Sequence, residues 1–389
     1  MIPQAALYLS TADDLHAALL PVAGRPVAFR ALVHAVRAGA RSVGVPAIFR
    51  GTAVEAAIDA SVRVRAAAVW LDHADLADAA TLLVPASAVA PAAALAALLD
   101  ASPPAMLAAS ATDGAAIFLA DAPLTTALAP ALAAGMPVGD DIARALKAPE
   151  ATAIDPDAWH VRVRDASSAR EAEDRLFAGL GSAIDTRLDR ALHRRLSRPV
   201  TRAAIALGIT PNQISVVSLL VGLAAAACFW IGTPLAALIG LLVYVGAVVL
   251  DHADGEVARL SLAESRVGEW LDIGVDTIVH AAMVVAMGAT AERIAGGGAI
   301  LGLVGAFGVI ASAAVAKIWP ATGAAGHIAA TLENLGSRDG FYAMLILFIL
   351  ARALAPATLA WLMILVALGS QAYWLARAAY TLFGKPTNQ

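Results

Sequence analysis

The chain has 389 residues, of which 60 % are hydrophobic and 15 % are charged, and its formal net charge is −4. The apolar fraction exceeds the roughly 45–50 % of soluble globular proteins, and the mean hydropathy is +0.73. This composition excludes a wholly soluble protein, a disordered chain and a polybasic protein, so we expect no nucleic-acid partner. The single cysteine, Cys228, excludes an internal disulfide framework and a zinc site built from cysteines.

Residues 1–180 alternate short β-like runs with alanine-rich stretches. Ala5–Leu9 and Thr81–Val84 are typical of strands, whereas Val27–Ala38 and Pro91–Leu99 are typical of helices. Strands that alternate with helices predict an α/β domain with a mainly parallel sheet. The first ten residues have no basic flank, so we expect no signal peptide.

Residues 181–208 form a basic segment that precedes the apolar half of the chain. Leucine or valine recurs at every fourth position from Leu188 to Val200, and the segment carries six arginines. This spacing predicts an amphipathic helix with a basic face, a type of helix that lies at the membrane surface. An ordinary solvated linker helix is the alternative.

The remaining residues, 209–389, hold 18 of the 58 charged side chains (27 basic and 31 acidic), and nine of those 18 lie between Asp251 and Asp276. The apolar stretches around this charged cluster approach or exceed the roughly 20 residues that cross a bilayer core. We therefore predict an α-helical membrane domain with six transmembrane helices. The predicted spans are 214–231, 234–256, 269–291, 299–318, 339–355 and 358–383.

The distribution of basic residues predicts how these spans are oriented. The connections on one side hold only Arg293 and Arg352, whereas the other side holds the basic segment, Lys317 and Arg338. By the positive-inside rule, both termini, the α/β domain and the charged cluster face the cytoplasm. We expect a multi-pass protein of the cell inner membrane, in contact with membrane lipids.

Four aspartates dominate the charged cluster. Asp251 and Asp254 are three residues apart, and Asp272 and Asp276 are four apart, so on helices each pair shares one face. Four carboxylates at the ends of two apolar spans are costly unless a cation neutralises them or water reaches them. Oxygen ligands without cysteine select Mg²⁺ or Mn²⁺, and two such pairs can hold two ions, which suits displacement at phosphorus. Helix caps or solvated loop charges are the alternative.

The spacing of these residues resembles a known signature. The pattern D-x2-D-G-x2-A-R-x8-G-x3-D-x3-D runs from Asp251 to Asp276, and it is the signature of the CDP-alcohol phosphotransferase (CDP-alcohol phosphatidyltransferase) family. Every fixed position is present, and Ile209–Ser215 resembles that family's usual entry to its first span. The resemblance covers about residues 185–385.

The resemblance implies a metal site and a general base. Asp276 would take the proton of the acceptor hydroxyl in addition to completing the metal site, and the cofactor would be Mg²⁺ or Mn²⁺, two ions in all. The implied metal ligands are Asp251, Asp254, Asp272 and Asp276.

The resemblance also implies a nucleotide site. Small residues on or near the same helical faces would leave room for the cytidine, and an arginine would hold the nucleotide end. His252 and Glu256 occupy free positions of the signature, and no role is assigned to them. The implied nucleotide-binding residues are Gly255, Ala258, Arg259 and Gly268.

The resemblance and the carboxylate chemistry together predict an enzyme, a CDP-alcohol phosphotransferase. A hydroxyl acceptor, with or without a phosphate of its own, attacks the β-phosphorus of a CDP-alcohol such as CDP-diacylglycerol, and CMP leaves. The transferred group is expected to be phosphatidyl, in phospholipid or polar-lipid biosynthesis, and the family's usual state predicts a homodimer. The alternatives are transfer from CDP-inositol and, in a different class, a non-catalytic six-span transporter or scaffold.

Lys317 and Arg338 are candidates for an acceptor site. Both lie at the ends of apolar spans, on the same predicted side of the membrane as the charged cluster. A pair of cations at that position could bind the phosphate of an acceptor. The alternative is that they anchor the spans at the interface, as positive-inside residues do.

The N-terminal half resembles a sugar-phosphate nucleotidyltransferase in Leu20–Pro26 and in the helix that follows. It departs from that family in the loop after the first strand, because Ser10–His16 holds no glycine, and it lacks the lysine expected just before Leu20. Backbone amides and cations are what hold a triphosphate, so we predict an inactive nucleotidyltransferase-like domain over residues 1–180. An unrelated α/β domain is the alternative. The order of the two domains resembles the fused enzymes that make CDP-inositol and join it to inositol phosphate.

Overall fold

In a computed structural model, the chain divides into two compact units, Met1–Gly179 and Leu180–Gln389. Six residues of the predicted basic segment, 181–185 and 187, lie outside the described residues. The structure describes residues 4–71, 76, 78–110, 114–146, 152–154, 158–180, 186, 188–318 and 337–383.

The N-terminal unit is built on one sheet of seven strands: β1 (Gln4–Tyr8), β2 (Ser42–Val45), β3 (Ala68–Trp70), β4 (Thr81–Pro85), β5 (Ala105–Leu107), β6 (Phe118–Ala120) and β7 (Thr152–Ile154). The strand order is β7-β5-β6-β4-β1-β2-β3, and every pair is parallel except the two made by β6. Strands β1 and β4 are buried along their whole length, as in a sheet covered on both faces. The prediction of a mainly parallel α/β domain is confirmed. Two short antiparallel pairs join Pro21–Val22 to Arg25–Pro26 and Ala88–Val89 to Val161–Arg162.

In the described residues of this unit, eight α-helices connect and cover the strands. Helix α2 (Val27–Arg37) buries nine of its 11 residues, because alanine and branched apolar residues fill every turn that faces the sheet. The other helices of this unit are α1 (Asp14–Leu19), α3 (Ala53–Asp59), α4 (Val62–Ala67), α5 (Ala92–Leu99), α6 (Ala122–Ala133), α7 (Gly139–Leu146) and α8 (Ala166–Ala178).

Two titratable side chains of α2 are buried in this core. Arg30 donates from Nε to the carbonyl of Val22 at 2.6 Å and from a terminal nitrogen to the carbonyl of Ala23 at 2.9 Å. His34 donates from Nδ1 to the carbonyl of Ala90 at 2.7 Å. Burial lowers the pKa of Arg30 to about 9 and that of His34 to about 4, so the imidazole is neutral in the folded unit at neutral pH.

The described residues of the C-terminal unit form helices joined by short connections, with no strand among them. It begins with a π-helical turn at Asp189–His193, and its helices are α9 (Arg194–Ala206), α10 (Pro211–Ile231), α11 (Pro234–Leu260), α12 (Arg266–Ala295), α13 (Gly298–Ile318), α14 (Arg338–Leu354) and α15 (Leu359–Phe383).

Local sequence fixes where the long helices begin. Thr210 and Gln213 form a capping box at the start of α10, where Pro211 occupies the first helical position. Thr233 accepts the N–H of Ala236 at the start of α11, and Ser265 caps α12 in the same way. The charged cluster therefore lies on the last turns of α11 and the first turns of α12.

Five helical stretches in the described part of the chain are long and apolar enough to cross a membrane, rather than the six that were predicted. They are Pro211–Ile231, Pro234–Leu260, Arg266–Ala295, Gly298–Ile318 and Pro356–Ala376. The difference is the predicted span 339–355, which forms α14. This helix has 17 residues, about 26 Å at 1.5 Å per residue, against a hydrocarbon core of about 30 Å. Charged residues close to both of its ends, Arg338 and Arg352, shorten its apolar part.

Small residues and two arginines hold the helical unit together. A Cβ on Gly288 of α12 would lie 2.6 Å from the Cα of Gly302 of α13, so the two backbones are in direct contact. At the end of the bundle opposite the charged cluster, Arg293 donates to the carbonyl of Trp230. Arg352 donates to the carbonyl of Gly232 at 2.6 Å, so both arginines bind the C-terminal end of α10.

Candidate active site

The ends of α11 and α12 bring the aspartates of the charged cluster together. Carboxylate oxygens of Asp251, Asp254 and Asp272 lie within 4.8 Å of one another. Asp276 lies one turn further along α12 and shares with Asp251 the wall of a small cavity of about 10 Å³. This arrangement is what the i, i+3 and i, i+4 spacings predict when two helices meet at their charged ends.

Residues from two other helices hold two of these carboxylates. Ser215 of α10 donates its hydroxyl to Oδ2 of Asp254 at 2.5 Å. Arg338, the first residue of α14, donates to Oδ2 of Asp251 at 2.7 Å. The carboxylate of Asp254 is nearly inaccessible, with 4 % exposure of the residue, so its orientation is fixed by α10.

A cavity of about 440 Å³ opens beside the carboxylates. Asp254 and Asp272 form part of its wall, and the start of α10 closes one side. At Gly268 a Cβ would come within 3.2 Å of Ser265 Oγ and 3.4 Å of Asn212 Oδ1, so a larger side chain would narrow this space. The structure brings together in this one cavity all the residues predicted to bind the nucleotide, namely Gly255, Ala258, Arg259 and Gly268.

The two cations proposed for the acceptor make different contacts. Arg338 lies at the carboxylates, where it contacts Asp251. The ammonium of Lys317 pairs instead with Glu269 and lies 5.2 Å from the ring centroid of Trp270. Glu269 lines the 440 Å³ cavity, so Lys317 borders the space predicted for the nucleotide.

Glu256, a free position of the signature, is one of the most buried carboxylates of the unit, at 1 % exposure. It accepts three hydrogen bonds from α9: Ser197 at 2.8 Å, Arg194 at 3.0 Å and Thr201 at 2.7 Å. The basic segment is thus attached to the motif helix by a buried, fully hydrogen-bonded charge. This contact was not predicted, although an acidic residue in an apolar span next to Asp254 and Gly255 was a signal for it.

His252, the other free position, belongs to a second buried group of polar side chains. Asp189 of the basic segment lies 2.9 Å from Nδ1 of His193 and 3.2 Å from Nε2 of His252, and it accepts the N–H of Thr186 at 2.9 Å. Tyr342 of α14 lies 3.0 Å from Nε2 of His193. Burial by itself raises the pKa of Asp189, but these hydrogen bonds and the charge of Arg338 hold that pKa well below its usual range.

This buried group has the residue types of a metal site but the contacts of a hydrogen-bond network. Atoms of Asp189, His193 and His252 lie close enough together to ligate an ion. However, Arg338 lies 3.2 Å from His252 and 3.6 Å from Asp189, and a guanidinium in that position opposes a second cation. The negative charge of Asp189 is therefore balanced by arginine.

Asp276 has a polar neighbour on its own helix, His280. Nδ1 of His280, one turn further along α12, is 3.5 Å from Oδ1 of Asp276, and its Nε2 is 2.6 Å from the hydroxyl of Tyr244 on α11. The ring of Phe341 packs at 4.2 Å from that of His280. Asp276 thus has a defined neighbour on the side that faces the bundle.

A family model matches the part of the chain that holds this site. Residues 208–370 match the family model described as CDP-alcohol phosphatidyltransferase, and this range contains every residue of the charged cluster. Residues 208–370 thus match a CDP-alcohol phosphatidyltransferase domain.

Relatives of this CDP-alcohol phosphatidyltransferase domain differ in their named substrates. The chain is 33 % identical over 129 residues to a bifunctional IPC transferase and DIPP synthase of Archaeoglobus fulgidus, over 33 % of this chain and 25 % of that protein. It is 38 % identical over 82 residues to a CDP-diacylglycerol–serine O-phosphatidyltransferase of Mycobacterium leprae, over 21 % and 26 %. The chain therefore spans about a quarter of the length of these two relatives.

Solved structures include a phosphatidylinositol phosphate synthase of Mycobacterium tuberculosis with CDP-DAG bound. It is 21 % identical, covers 50 % of this chain and 96 % of its own length, and superposes with a TM-score of 0.40. The same enzyme in complex with manganese and citrate gives a TM-score of 0.37 at 21 % identity, over 49 % of this chain and 90 % of its own.

The N-terminal unit has its own buried ion pair at the loop after β1. Oδ2 of Asp14 accepts the backbone N–H groups of Ser10 at 2.8 Å and Thr11 at 3.0 Å. Oδ1 of Asp14 accepts a hydrogen bond from Arg162 at 2.9 Å. The loop amides that would face a ligand at the carboxyl end of a parallel strand are therefore bound by a side chain of the same unit.

Proposed function

We propose that the membrane unit transfers a phosphoalcohol group from a CDP-alcohol to a hydroxyl acceptor and releases CMP. The group that we propose is phosphatidyl. The observation that carries the proposal is the 440 Å³ cavity, which is lined both by carboxylates of the charged cluster and by every small residue of the signature. A nucleotide seated there would have its phosphates beside the carboxylates. The family match at residues 208–370 supports the same class of reaction.

The donor set fits a divalent cation. Asp251, Asp254 and Asp272 offer oxygen atoms within 4.8 Å of one another, and hard ions such as Mg²⁺ or Mn²⁺ prefer such ligands. We propose two ions, held by these three residues and Asp276. When bound, the ions would neutralise negative charge that develops on the phosphates.

The remaining roles fall to this chain's own side chains. Gly255, Ala258 and Gly268 leave room for the cytidine, and Arg259 holds the nucleotide end. Asp276 accepts the proton of the acceptor hydroxyl. The hydroxyl oxygen forms a bond to the β-phosphorus, while the bond from that phosphorus to the CMP oxygen breaks. CMP leaves as the anion, and the proton stays on Asp276 until it passes to solvent.

The acceptor is proposed to approach from the side of Arg338, whose guanidinium lies at Asp251. A phosphate on the acceptor would be a bidentate partner for that guanidinium. Lys317 is proposed to contribute at the edge of the cavity, where it now pairs with Glu269.

Location and assembly complete the proposal. The helical unit is membrane-embedded, and the positive-inside rule supports a cell inner membrane location with both termini and the site at the cytoplasmic face. We propose a homodimer, in line with the family. We also propose residues 1–180 as a nucleotidyltransferase-like domain that has lost nucleotide chemistry, since Asp14 binds the loop amides and Arg162.

Purified protein tests the proposed reaction. With Mg²⁺ or Mn²⁺, it is expected to release CMP from CDP-diacylglycerol or CDP-inositol when hydroxyl acceptors, with and without phosphate, are supplied. The donor that reacts distinguishes phosphatidyl transfer from inositol-phosphate transfer. Asp276→Asn is expected to lower kcat by about 10²- to 10⁴-fold, the usual contribution of a general base. Full turnover by this variant would exclude Asp276 as the base, and no CMP release from any CDP-alcohol would favour a transporter or scaffold.

A further inference from the structure

One arginine links the basic segment to the carboxylate cluster. Arg338 donates from one terminal nitrogen to Oδ2 of Asp251 at 2.7 Å, while its other terminal nitrogen lies 3.6 Å from Oδ1 of Asp189. The guanidinium therefore lies between two carboxylates, one in the signature and one far outside it. The family signature contains no position equivalent to Asp189.

Asp189 cannot leave this position easily. Its side chain is 5 % exposed, and both of its oxygens are engaged, Oδ1 by His193 and His252 and Oδ2 by the N–H of Thr186. Such a carboxylate is a fixed negative charge. The guanidinium opposite it is 22 % exposed and belongs to the first residue of α14, so it is the more mobile partner.

Oδ2 of Asp251 therefore has two possible cationic partners, the guanidinium and the ion that the proposed function places on the carboxylates. Any part of the guanidinium charge that is balanced by Asp189 is not available to compete for Asp251. We infer that Asp189 is a positioning residue, which shares Arg338 with Asp251 and so keeps Asp251 available to a divalent cation. This inference rests on the proposed function, since it takes Asp251 as a metal ligand.

Mn²⁺ binding to the detergent-solubilised full chain, followed by the loss of the free-ion electron paramagnetic resonance signal, tests this without an assay of turnover. Asp189→Asn is expected to weaken Mn²⁺ binding by about fivefold to tenfold, within the range of coupling between groups in contact. Arg338→Gln is expected to tighten binding, because it removes the competing cation. In the Arg338→Gln background, Asp189→Asn is expected to have no further effect.

The double variant separates positioning from a direct effect of charge. If the loss of the Asp189 charge weakened Mn²⁺ binding by the same factor with and without Arg338, the effect would not pass through arginine and the inference would be wrong. Unchanged binding by Asp189→Asn would also overturn it. Failure of the unaltered protein to bind Mn²⁺ would overturn the metal site of the proposed function, and the inference with it.

Glu256→Gln is the matched control. Glu256 attaches the same basic segment to the same helix, but its bonds go to Arg194, Ser197 and Thr201 rather than to Arg338. Glu256→Gln is expected to loosen the segment and leave the affinity for Mn²⁺ unchanged. Weakening equal to that of Asp189→Asn would assign the effect to general loosening and refute the inference.

If Asp189→Asn does not fold, Asp189→Glu keeps the charge but displaces it by one methylene. This variant is expected to weaken Mn²⁺ binding by about twofold to threefold, and unchanged binding would count against the inference.

Discussion

Glu256 offers the sharpest test of how the basic segment is attached to the motif helix. Its carboxylate is 1 % exposed and accepts hydrogen bonds from one cationic and two hydroxyl donors of α9. Hydrogen bonds to charged groups contribute about 1.5–3 kcal/mol each. In Glu256→Gln the amide retains one acceptor oxygen and loses the charge that pairs with Arg194.

The expected cost of Glu256→Gln is about 2–3 kcal/mol. Removing one partner of a fully buried ion pair costs about 3–5 kcal/mol. The cost expected here is smaller because the side chain of Arg194 is 13 % exposed and can reach water. The loss falls on the attachment of α9 rather than on the whole bundle. Amide hydrogen exchange of α9 in the full-length protein measures that local opening, and 2–3 kcal/mol corresponds to about 30- to 140-fold faster exchange.

Two further variants decide whether the effect arises as described. Arg198→Gln removes an exposed charge from the same helix and is expected to change exchange by no more than about twofold. Arg194→Gln combined with Glu256→Gln is expected to cost less than the sum of the two single changes, because both remove one interaction. Unaltered exchange of α9 in Glu256→Gln would refute the attachment by this carboxylate.

Three other outcomes follow from the structure. Ala258→Leu is expected to raise the KM for the CDP-alcohol at least about tenfold by filling the cavity, with Mn²⁺ affinity unchanged; an unaltered KM would place the nucleotide elsewhere. The pKa of His34 falls from an ordinary value of 6.5 to about 4, so its contribution to the stability of the N-terminal unit is complete above pH 6.5. That contribution is lost as the pH falls towards 4, by about 3 kcal/mol in all. In His34→Gln, the exchange of α2 amides should lack this pH dependence, and its persistence would exclude His34 as the cause. Asp14→Asn is expected to destabilise the same unit by about 3 kcal/mol, since Arg162 loses a nearly inaccessible partner. Neither the unaltered protein nor this variant should bind CTP in equilibrium dialysis, and binding by the unaltered protein would contradict the proposed loss of nucleotide chemistry.

The sequence was sufficient for the parts of the site that follow from helical spacing. Asp251 and Asp254 share a helical face by spacing alone, and both lie on the last turns of α11. The signature then predicts that Gly268 and Ala258 face the same space, and the structure brings them to one cavity. Their roles in binding remain predictions.

Contacts between distant segments could not be predicted in this way. Asp189 meets Arg338 across 149 positions of the chain, and nothing in the local pattern of either residue indicates the other. Lys317 and Arg338 carry the same charge at the same predicted face, yet one pairs with Glu269 and the other with Asp251. In the described residues, five rather than six stretches are long and apolar enough to cross a membrane, for a related reason: hydropathy does not show where charged ends shorten a helix such as α14.

The two arginines at the far end of the bundle alter how the charge of that face should be counted. Arg293 and Arg352 entered the orientation argument as positive charges, but both donate to carbonyls at the C-terminal end of α10. A helix C-terminus carries roughly half a negative elementary charge, so it offsets part of the charge of these two cations. Acidic lipid headgroups at that surface would therefore be attracted by less than two full positive charges. The electrical contrast between the two faces of the protein is therefore greater than a count of its basic residues indicates.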